Sequence, residues 1–400
     1  MKINTDAKKI EEAITRSVDT IYPTKKDLKD LLSSGRQLRI YMGIDPTATY
    51  VHLGHATNYI ILRRLHELGH KIIVLIGDFT AMIGDPSDKT AMRKRLTKEG
   101  VKNNLKTFQA QIGKILNFED KNNPIEIRFN SDWLSKLTFE DAVNLASHFT
   151  VQRMLERDNF EKRIKEEKPL YVHEFFYPLM QGYDSVALNA DLEIGGTDQT
   201  FNMLAGRTLV KAYQNREKLV MTTTLLENPV TGEKLMSKSL GTGIGLDESA
   251  KEMFGKVMAL PDEAIIQVFI DCSYLSMEEI KQLEKELKAG ANPRDLKMRL
   301  AKEIVTMYHD EKAAEEAKDY FVKTFSKKEI PTEMTELEVE DKNILAVLMT
   351  AGFVKSKGEA RRVVQQDGVQ VNNKKIDSIE TKVKTGDVIQ KGSRFFVKIK

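Results

Sequence analysis

The stretch YMGIDPTATYVHLGHAT, residues 41–57, decides the fold because it joins the first predicted strand of a parallel sheet to a helix. QLRIYMGIDPT (37–47) predicts a strand that ends in a loop. HATNYIILRRLHELG (55–69) has apolar residues at helical spacing and ends at Gly69. The continuous apolar run KIIVLIG (71–77) is typical of a strand buried on both faces of a parallel sheet. Strand, helix and strand in this order predict a βαβ unit and an α/β fold.

Histidines stand in this turn where dinucleotide-binding folds have a Gly-rich motif. His52 and His55 are three residues apart, and Gly54 leaves room for a flat ligand near the backbone. Because a helix N-terminus favours anions, neutral imidazoles facing phosphate oxygens are one interpretation. Histidines with a purely structural role are the alternative. A zinc site is disfavoured, because zinc-binding helices usually space their ligands by four residues and add a carboxylate.

Two polar loops follow predicted strands. IGDPSDK (83–89) comes after the second strand, and EIGGTDQ (193–199) contains the end of a later one. Ligands of open α/β sheets bind beyond the carboxyl ends of the strands, so these loops are candidates for the floor of a pocket. Ordinary loop chemistry is the alternative interpretation.

A polar stripe crosses an otherwise apolar helix. In FYPLMQGYDSVAL (176–188), Tyr177, Gln181 and Asp184 follow one another at helical spacing and share a face. Buried polar groups need partners. A ligand with an ammonium and a hydroxyl group provides them, and a hydrogen-bond network between helices is the alternative.

The segment GEKLMSKSLG (232–241) has a glycine at each end and two lysines. It is interpreted either as a solvated loop or as a mobile arm that grips a polyphosphate. GTGIG (241–245) resembles a dinucleotide loop, but it does not follow a strand. A Rossmann dehydrogenase is therefore disfavoured.

Composition limits the class of protein. The 400 residues are 41% hydrophobic and 30% charged, which suits two or three domains with a sizeable core. The apolar runs are far shorter than the roughly 18 residues of a membrane helix, and the first residues do not form a secretory signal. The only cysteine is Cys272, which rules out an intramolecular disulfide. We expect a cytoplasmic protein.

Positive charge is concentrated at the C-terminus. Residues 342–400 contain 13 Lys and Arg against 5 Asp and Glu, a net charge of +8, although the whole chain has only +3. Such a tail suggests contact with a polyanion, and a lysine-rich solvated surface is the alternative.

The motifs taken together resemble those of the class I aminoacyl-tRNA synthetases. HLGH (52–55) looks like the His-Ile-Gly-His signature, and LMSKS (235–239) looks like the Lys-Met-Ser-Lys-Ser loop. YMGIDPTA, IGDPS, YPLMQGYDSVALNAD and GGTDQ follow in the order of the bacterial-type tyrosyl-tRNA synthetases. The tail, SKGEARRVVQQDGVQVNNKKI, is similar to the S4 RNA-binding domain.

This resemblance implies a Rossmann-like parallel sheet with a helical insertion, then an α-helical domain and a small α+β S4-like domain. The expected boundaries are 1–227 for the catalytic domain, 228–250 for the mobile loop, 251–330 for the helical anticodon-side domain, 331–341 for a linker and 342–400 for the S4-like domain.

The resemblance also implies site residues. The tyrosine pocket is expected to contain Tyr41, Asp85, Tyr177, Gln181, Asp184 and Gln199. The ATP site is expected to contain Gly43, Asp45, His52, Gly54, His55, Asp198, Met236 and Lys238. The catalytic groups are expected to be Thr47, His52, His55, Lys234 and Lys238. Since Leu235 stands where family members often have lysine, Lys238 is favoured over Lys234. RNA contacts are expected from Lys355, Lys357, Arg361 and Arg362.

The implied reaction has two steps: activation of L-tyrosine by Mg²⁺–ATP, then transfer to tRNA(Tyr). No zinc and no membrane are implied, and a homodimer is expected to use the insertion around residues 130–185. A tryptophanyl-tRNA synthetase is less favoured, because Tyr41 and Asp184 suit a phenol. A non-catalytic RNA-binding protein is disfavoured by the presence of His52, His55 and Lys238.

Overall fold

The structure is a computed structural model that describes residues 2–46, 50–85, 98–236, 242–326, 334–339, 341–392 and 395–400. Thr47 and Lys238, both expected at the site, lie outside the described residues. The chain forms two compact units, Met1–Ala314 and Glu315–Lys400.

The helices of the described residues are α1 Ala7–Ala13, α2 Lys25–Ser33, α3 Leu53–Glu67, α4 Thr80–Ile83, α5 Lys98–Ile112, α6 Ser131–Leu134, α7 Phe139–Ser147, α8 Val151–Leu155, α9 Asp158–Lys165, α10 Val172–Ala187, α11 Thr200–Gln214, α12 Ala250–Met258, α13 Ile265–Cys272, α14 Met277–Lys288, α15 Pro293–Tyr308, α16 Glu311–Phe321, α17 Ile344–Thr350 and α18 Lys357–Gln365.

The strands are β1 Val18–Tyr22, β2 Arg39–Ile44, β3 Lys71–Ile76, β4 Glu126–Phe129, β5 Leu192–Gly196, β6 Leu219–Thr223, β7 Thr335–Leu337, β8 Val369–Val371, β9 Lys374–Lys375, β10 Val388–Lys391 and β11 Phe395–Ile399.

The first unit is built on a sheet with the strand order β1-β6-β5-β2-β3-β4. Strands β2 to β6 pair in parallel, and β1 pairs antiparallel with β6 at one edge. The predicted βαβ unit is confirmed as β2, α3 and β3. After β2 the chain continues to β3 on one side, whereas β5 lies on the other side. This reversal of strand order opens a crevice at the carboxyl ends of β2 and β5, where such sheets bind ligands.

Two glycines allow α10 and α11 to pack closely beside this crevice. A Cβ atom on Gly182 would lie 2.9 Å from Leu209 Cδ1 and 3.2 Å from the Gly206 nitrogen. Because both distances are shorter than ordinary van der Waals contacts, glycine at this position permits the close approach. It fixes the position of α10, which bears the predicted polar stripe.

Helices α12 to α15 belong to the same compact unit as the sheet, although the sequence predicts a separate helical domain over 251–330. Arg16 provides one reason, because its buried guanidinium donates to the carbonyl oxygens at the end of α13. The acceptors are Phe269 O at 3.2 Å, Ile270 O at 2.8 Å, Ser273 O at 2.9 Å and Leu275 O at 2.7 Å. These bonds satisfy carbonyls that a helix end leaves without partners.

The second unit contains a sheet with the order β7-β11-β10-β8-β9, and its core packs α17 and α18 on that sheet. The predicted linker 331–341 needs a correction, because residues 335–337 within it form β7, which pairs in parallel with β11. The alternation of polar and apolar residues there suits an edge strand. Two side chains at the start of α18 accept hydrogen bonds from backbone nitrogens. Ser356 accepts from the Glu359 nitrogen, and the Glu359 carboxylate accepts from the Lys355 nitrogen at 2.8 Å.

Candidate active site

The carboxyl ends of β2 and β5 and the inner face of α10 bring together most of the predicted pocket residues. Tyr41 is on β2, and Tyr177, Gln181 and Asp184 are on α10. The polar stripe faces the sheet and its strand ends, because its side chains bond to residues that belong to or follow β2 and β5.

Asp184 is a buried carboxylate on the polar stripe of α10. It is 2% exposed, and it accepts from Trp133 Nε1 at 2.7 Å and from Asn130 Nδ2 at 3.4 Å. Burial raises the pKa of Asp184 well above its usual value. Tyr41 is fully buried, and its hydroxyl lies 2.7 Å from Ser185 Oγ. Burial raises the pKa of Tyr41 well above its ordinary value, and the Glu193 and Asp184 carboxyl groups add to this rise.

Asp45, which is expected in the ATP site, is hydrogen-bonded to Tyr177, which is expected in the tyrosine pocket. Its Oδ2 accepts from the Tyr177 hydroxyl at 2.8 Å, and its Oδ1 accepts from Thr80 Oγ1 at 2.6 Å. Burial raises the pKa of Asp45 to about 7, despite both donors. Gly77 is required here, because a Cβ on it would overlap Asp45 Oδ1.

Asp85 forms a second acidic position. It accepts from Gln199 Nε2 at 2.7 Å and from Arg157 Nη2 at 2.9 Å. Arg157 is 4% exposed, and its Nη1 is buried with no hydrogen-bond partner among the described residues. Arg157 is not predicted from the sequence, because in a charged helical stretch it resembles the solvated residues around it.

His52 and His55 stack at the start of α3, with ring centroids 3.7 Å apart and an interplanar angle of 15°. The His52 nitrogen donates to His55 Nδ1 at 3.4 Å. Burial lowers the pKa of His52 to about 4. Desolvation, with a smaller contribution from His52, lowers the pKa of the His55 ring to about 3. Both rings are therefore neutral at pH 7. A Cβ on Gly54 would lie 3.1 Å from His52 Cε1.

Backbone hydrogen bonds hold both segments that flank residues 237–241, and Met236 lies beside the motif, because a Cβ on Gly54 would be 3.5 Å from Met236 Cβ. The Leu235 nitrogen donates to Leu226 O at 3.0 Å, and the Leu53 nitrogen donates to Ile244 O at 3.0 Å. Lys234 is exposed, whereas Leu235 and Met236 are each 7% exposed. The burial of Leu235 explains why an apolar residue suits this position.

A buried ion pair lies next to Gln181, and neither of its members is predicted from the sequence. Lys218 and Glu193 form it, with side chains 0% and 2% exposed. Gln181 Nε2 donates to Glu193 Oε1 at 3.1 Å. The available signal was an acidic residue inside the apolar strand DLEIG, which the loop interpretation of this segment passed over.

The remaining predicted residues are placed as follows. Gly43 is exposed at the end of β2, and Asp198 is exposed after β5. Four basic residues are all exposed just before α18 or along it: Lys355, Lys357, Arg361 and Arg362. Within the described ranges, no three His, Cys, Asp or Glu side chains form a group that could hold a metal ion. No helix among the described residues is long and apolar enough to cross a membrane.

Two family models match the chain. The model described as tRNA synthetases class I (W and Y) matches residues 33–326. The model described as the Tyrosine--tRNA ligase SYY-like C-terminal domain matches residues 322–397.

Curated relatives match over almost the full length. The Tyrosine--tRNA ligase of Carboxydothermus hydrogenoformans is 46% identical over 404 residues, with 97% of each chain covered. That of Haemophilus influenzae is 44% identical over 398 residues, covering 99% of this chain and 98% of the relative.

Solved structures show the same fold at low identity. A C-terminally truncated mitochondrial tyrosyl-tRNA synthetase of Aspergillus nidulans has a TM-score of 0.67 and 22% identity, covering 80% of this chain and 94% of that one. The tyrosyl-tRNA synthetase of Archaeoglobus fulgidus, complexed with L-tyrosine, has a TM-score of 0.62 and 22% identity, covering 78% and 99%.

Proposed function

Because this chain belongs to the class I tRNA synthetases, and within them to the tyrosyl-tRNA synthetases, we propose how its side chains divide the two steps of the reaction. The enzyme activates L-tyrosine with ATP to give tyrosyl-adenylate and pyrophosphate. It then transfers tyrosine to the 3′-terminal adenosine of tRNA(Tyr). Both steps depend on positioning and charge stabilisation rather than on a covalent nucleophile.

The buried Asp184 carboxylate is the observation that best supports a pocket for tyrosine. Each of its oxygens accepts one hydrogen bond from an N–H group. Each oxygen also has a further lone pair, which can accept a hydrogen bond from the phenol hydroxyl of the substrate. The neighbouring Tyr41 hydroxyl both donates and accepts. We assign the phenol to these two residues. The substrate ammonium is assigned to Asp85, Tyr177, Gln181 and Gln199, which supply oxygen acceptors around the other end.

The ATP site is assigned to the start of α3 and the loops around it. Neutral His52 and His55 are hydrogen-bond donors that suit phosphate oxygens at a helix N-terminus. Gly43 and Gly54 leave space for the nucleotide, and Asp45, Asp198 and Met236 surround it. Thr47 and Lys238 are proposed to act on the phosphates during transfer, with Lys234 as the second lysine.

ATP is proposed to react as its Mg²⁺ complex. Mg²⁺ prefers oxygen ligands and usually binds through substrate phosphates together with one or two carboxylates. The ion therefore belongs to the substrate rather than to a dedicated site. The proposed chemistry uses no zinc.

The C-terminal unit is proposed to bind tRNA(Tyr). Four exposed basic residues lie just before α18 or along it, which suits phosphate contacts rather than base recognition: Lys355, Lys357, Arg361 and Arg362.

A cytoplasmic homodimer is proposed for the whole enzyme. The helical insertion exposes large apolar residues, Phe139 at 85%, Val151 at 66% and Val172 at 76%. Exposed apolar residues that form one continuous patch are typical of protein interfaces, and we assign these residues to such a patch. Sedimentation at equilibrium tests the dimer, and a monomeric mass at micromolar concentration would contradict it.

Amino-acid-dependent ATP–pyrophosphate exchange with all twenty amino acids tests the function. We expect exchange with tyrosine. Exchange with tryptophan alone would favour the related tryptophanyl activity, and exchange with no amino acid would favour a non-catalytic RNA-binding protein.

A further inference from the structure

The buried Lys218–Glu193 pair has a bond pattern that reaches both ends of the pocket. Lys218 Nζ donates to Glu193 Oε2, to Ser185 Oγ at 2.8 Å and to Met203 O at 3.1 Å, so all three of its donors are used. Glu193 Oε1 accepts from Gln181, and Glu193 Oε2 also accepts from Ser185 at 3.3 Å. One carboxylate therefore contacts Gln181 directly and reaches Tyr41 through Ser185.

The fold reserves space for this network. A Cβ on Gly206 would lie 2.5 Å from Lys218 Nζ and 2.6 Å from Ser185 Oγ, so a side chain on α11 at this point is excluded. Lys218 also lies over the Tyr41 ring, with Nζ 5.8 Å from its centroid. Tyr41 is thus held at both its ring and its hydroxyl.

Stability alone gives a poor reason for such a pair. Burying two charges costs desolvation energy, and well-packed apolar residues of similar volume are often equally stable. The bonds of this pair, however, restrict rotation of the Ser185 hydroxyl and of the Gln181 amide. Those two groups border the surfaces assigned to the phenol and the ammonium of the substrate.

We propose that Glu193 and Lys218 are positioning residues for tyrosine selection: they hold Tyr41, through Ser185, and Gln181 in the geometry that recognises both polar ends of tyrosine. The inference rests on the proposed tyrosine pocket. Neither residue touches the substrate.

Two variants test it by pyrophosphate exchange in the full-length enzyme. Ser185→Ala removes the link to Tyr41 and keeps the ion pair. Lys218→Met with Glu193→Gln removes both charges and avoids leaving one charge unpaired. In each we expect the KM for tyrosine to rise about tenfold and the preference for tyrosine over phenylalanine to fall about tenfold, as the loss of roughly one oriented hydrogen bond predicts. The KM for ATP should stay within about twofold of the wild-type value.

Leu300→Ala is the control, because Leu300 is fully buried in α15 and its loss leaves a cavity without touching the network. It should lower the melting temperature and keep the tyrosine preference. If the double variant does not fold, Ser185→Ala decides alone. A folded Ser185→Ala enzyme with unchanged preference would overturn the inference. Absence of tyrosine exchange in the wild-type enzyme would instead contradict the proposed function.

Discussion

Single residues in the site differ mainly in how burial changes their protonation. Asp184 and Asp45 lie deep enough for desolvation to raise their pKa values, even though both accept hydrogen bonds. The same desolvation lowers the pKa values of His52 and His55, because their charged form is cationic. Burial therefore moves both kinds of side chain towards neutrality.

Asp184→Ala should weaken the discrimination of the enzyme between tyrosine and phenylalanine. The change removes the acceptor assigned to the phenol hydroxyl, and it leaves Trp133 Nε1 without its bond. We expect the tyrosine preference in pyrophosphate exchange to fall by at least about tenfold, equivalent to about 1.4 kcal/mol. Unchanged selectivity would show that the phenol lies elsewhere.

His52 gives a prediction about acid stability. Its folded pKa of about 4 lies below the ordinary value of 6.5. The unfolded chain therefore binds more protons between these values, and the contribution of His52 is present above pH 6.5 and lost as pH falls through 4. His52→Asn should show a shallower loss of unfolding free energy over that window. Denaturant titrations can follow Trp133, the only tryptophan, and equal slopes would contradict the prediction.

The two lysines of the signature loop are distinguished by substitution. Lys238→Ala should slow tyrosine activation with little change in the KM for tyrosine, because the lysine is assigned to the departing pyrophosphate. Lys234→Ala should have the smaller effect on kcat. The reverse order would mean that Lys234 provides this charge.

At the scale of elements, the site depends on how α10 and α11 lie against the sheet. Gly182 permits their close approach, and Gly206 leaves room for the Lys218 ammonium. Glycine lowers the helix propensity of both helices at these points, but it permits their contact with one another and with β5.

Gly182→Ala tests this packing. The added methyl group would lie 2.9 Å from Leu209 Cδ1 and against the α11 backbone, and overpacking of this kind costs about 1–3 kcal/mol. Gly255→Ala in α12 is the matched control, since its Cβ would meet nothing within 4 Å. It should stabilise the chain by up to about 1 kcal/mol through helix propensity. Equal effects in thermal unfolding would contradict the packing argument.

At the scale of the whole molecule, the division into two compact units suggests that truncation can separate tyrosine activation from transfer to tRNA. The first unit contains the candidate active site, and the second contains the exposed basic residues of α18. Because β7 belongs to the second sheet, a cut after residue 326 removes that sheet completely, whereas a cut at about 340 leaves one of its strands behind.

A chain ending at residue 326 should retain tyrosine-dependent pyrophosphate exchange and lose much of its tRNA charging, because its phosphate contacts are gone. The expected rise in the KM for tRNA is at least about tenfold, and the salt dependence of charging should weaken with it. Full charging by the truncated enzyme would contradict the proposed role of the second unit.

The sequence by itself determined the βαβ unit, the place of the histidines at the start of α3, and the shared helical face of Tyr177, Gln181 and Asp184. These features follow from residue spacing, which reports local geometry. The tertiary structure decided which partners they have: Tyr177 bonds to Asp45, 132 positions earlier, and Arg157 bonds to Asp85, 72 positions earlier. It also brought Lys218 to Glu193. Periodicity contains no information about such pairs, because only the packing of strands and helices sets the distance between residues so far apart in the chain.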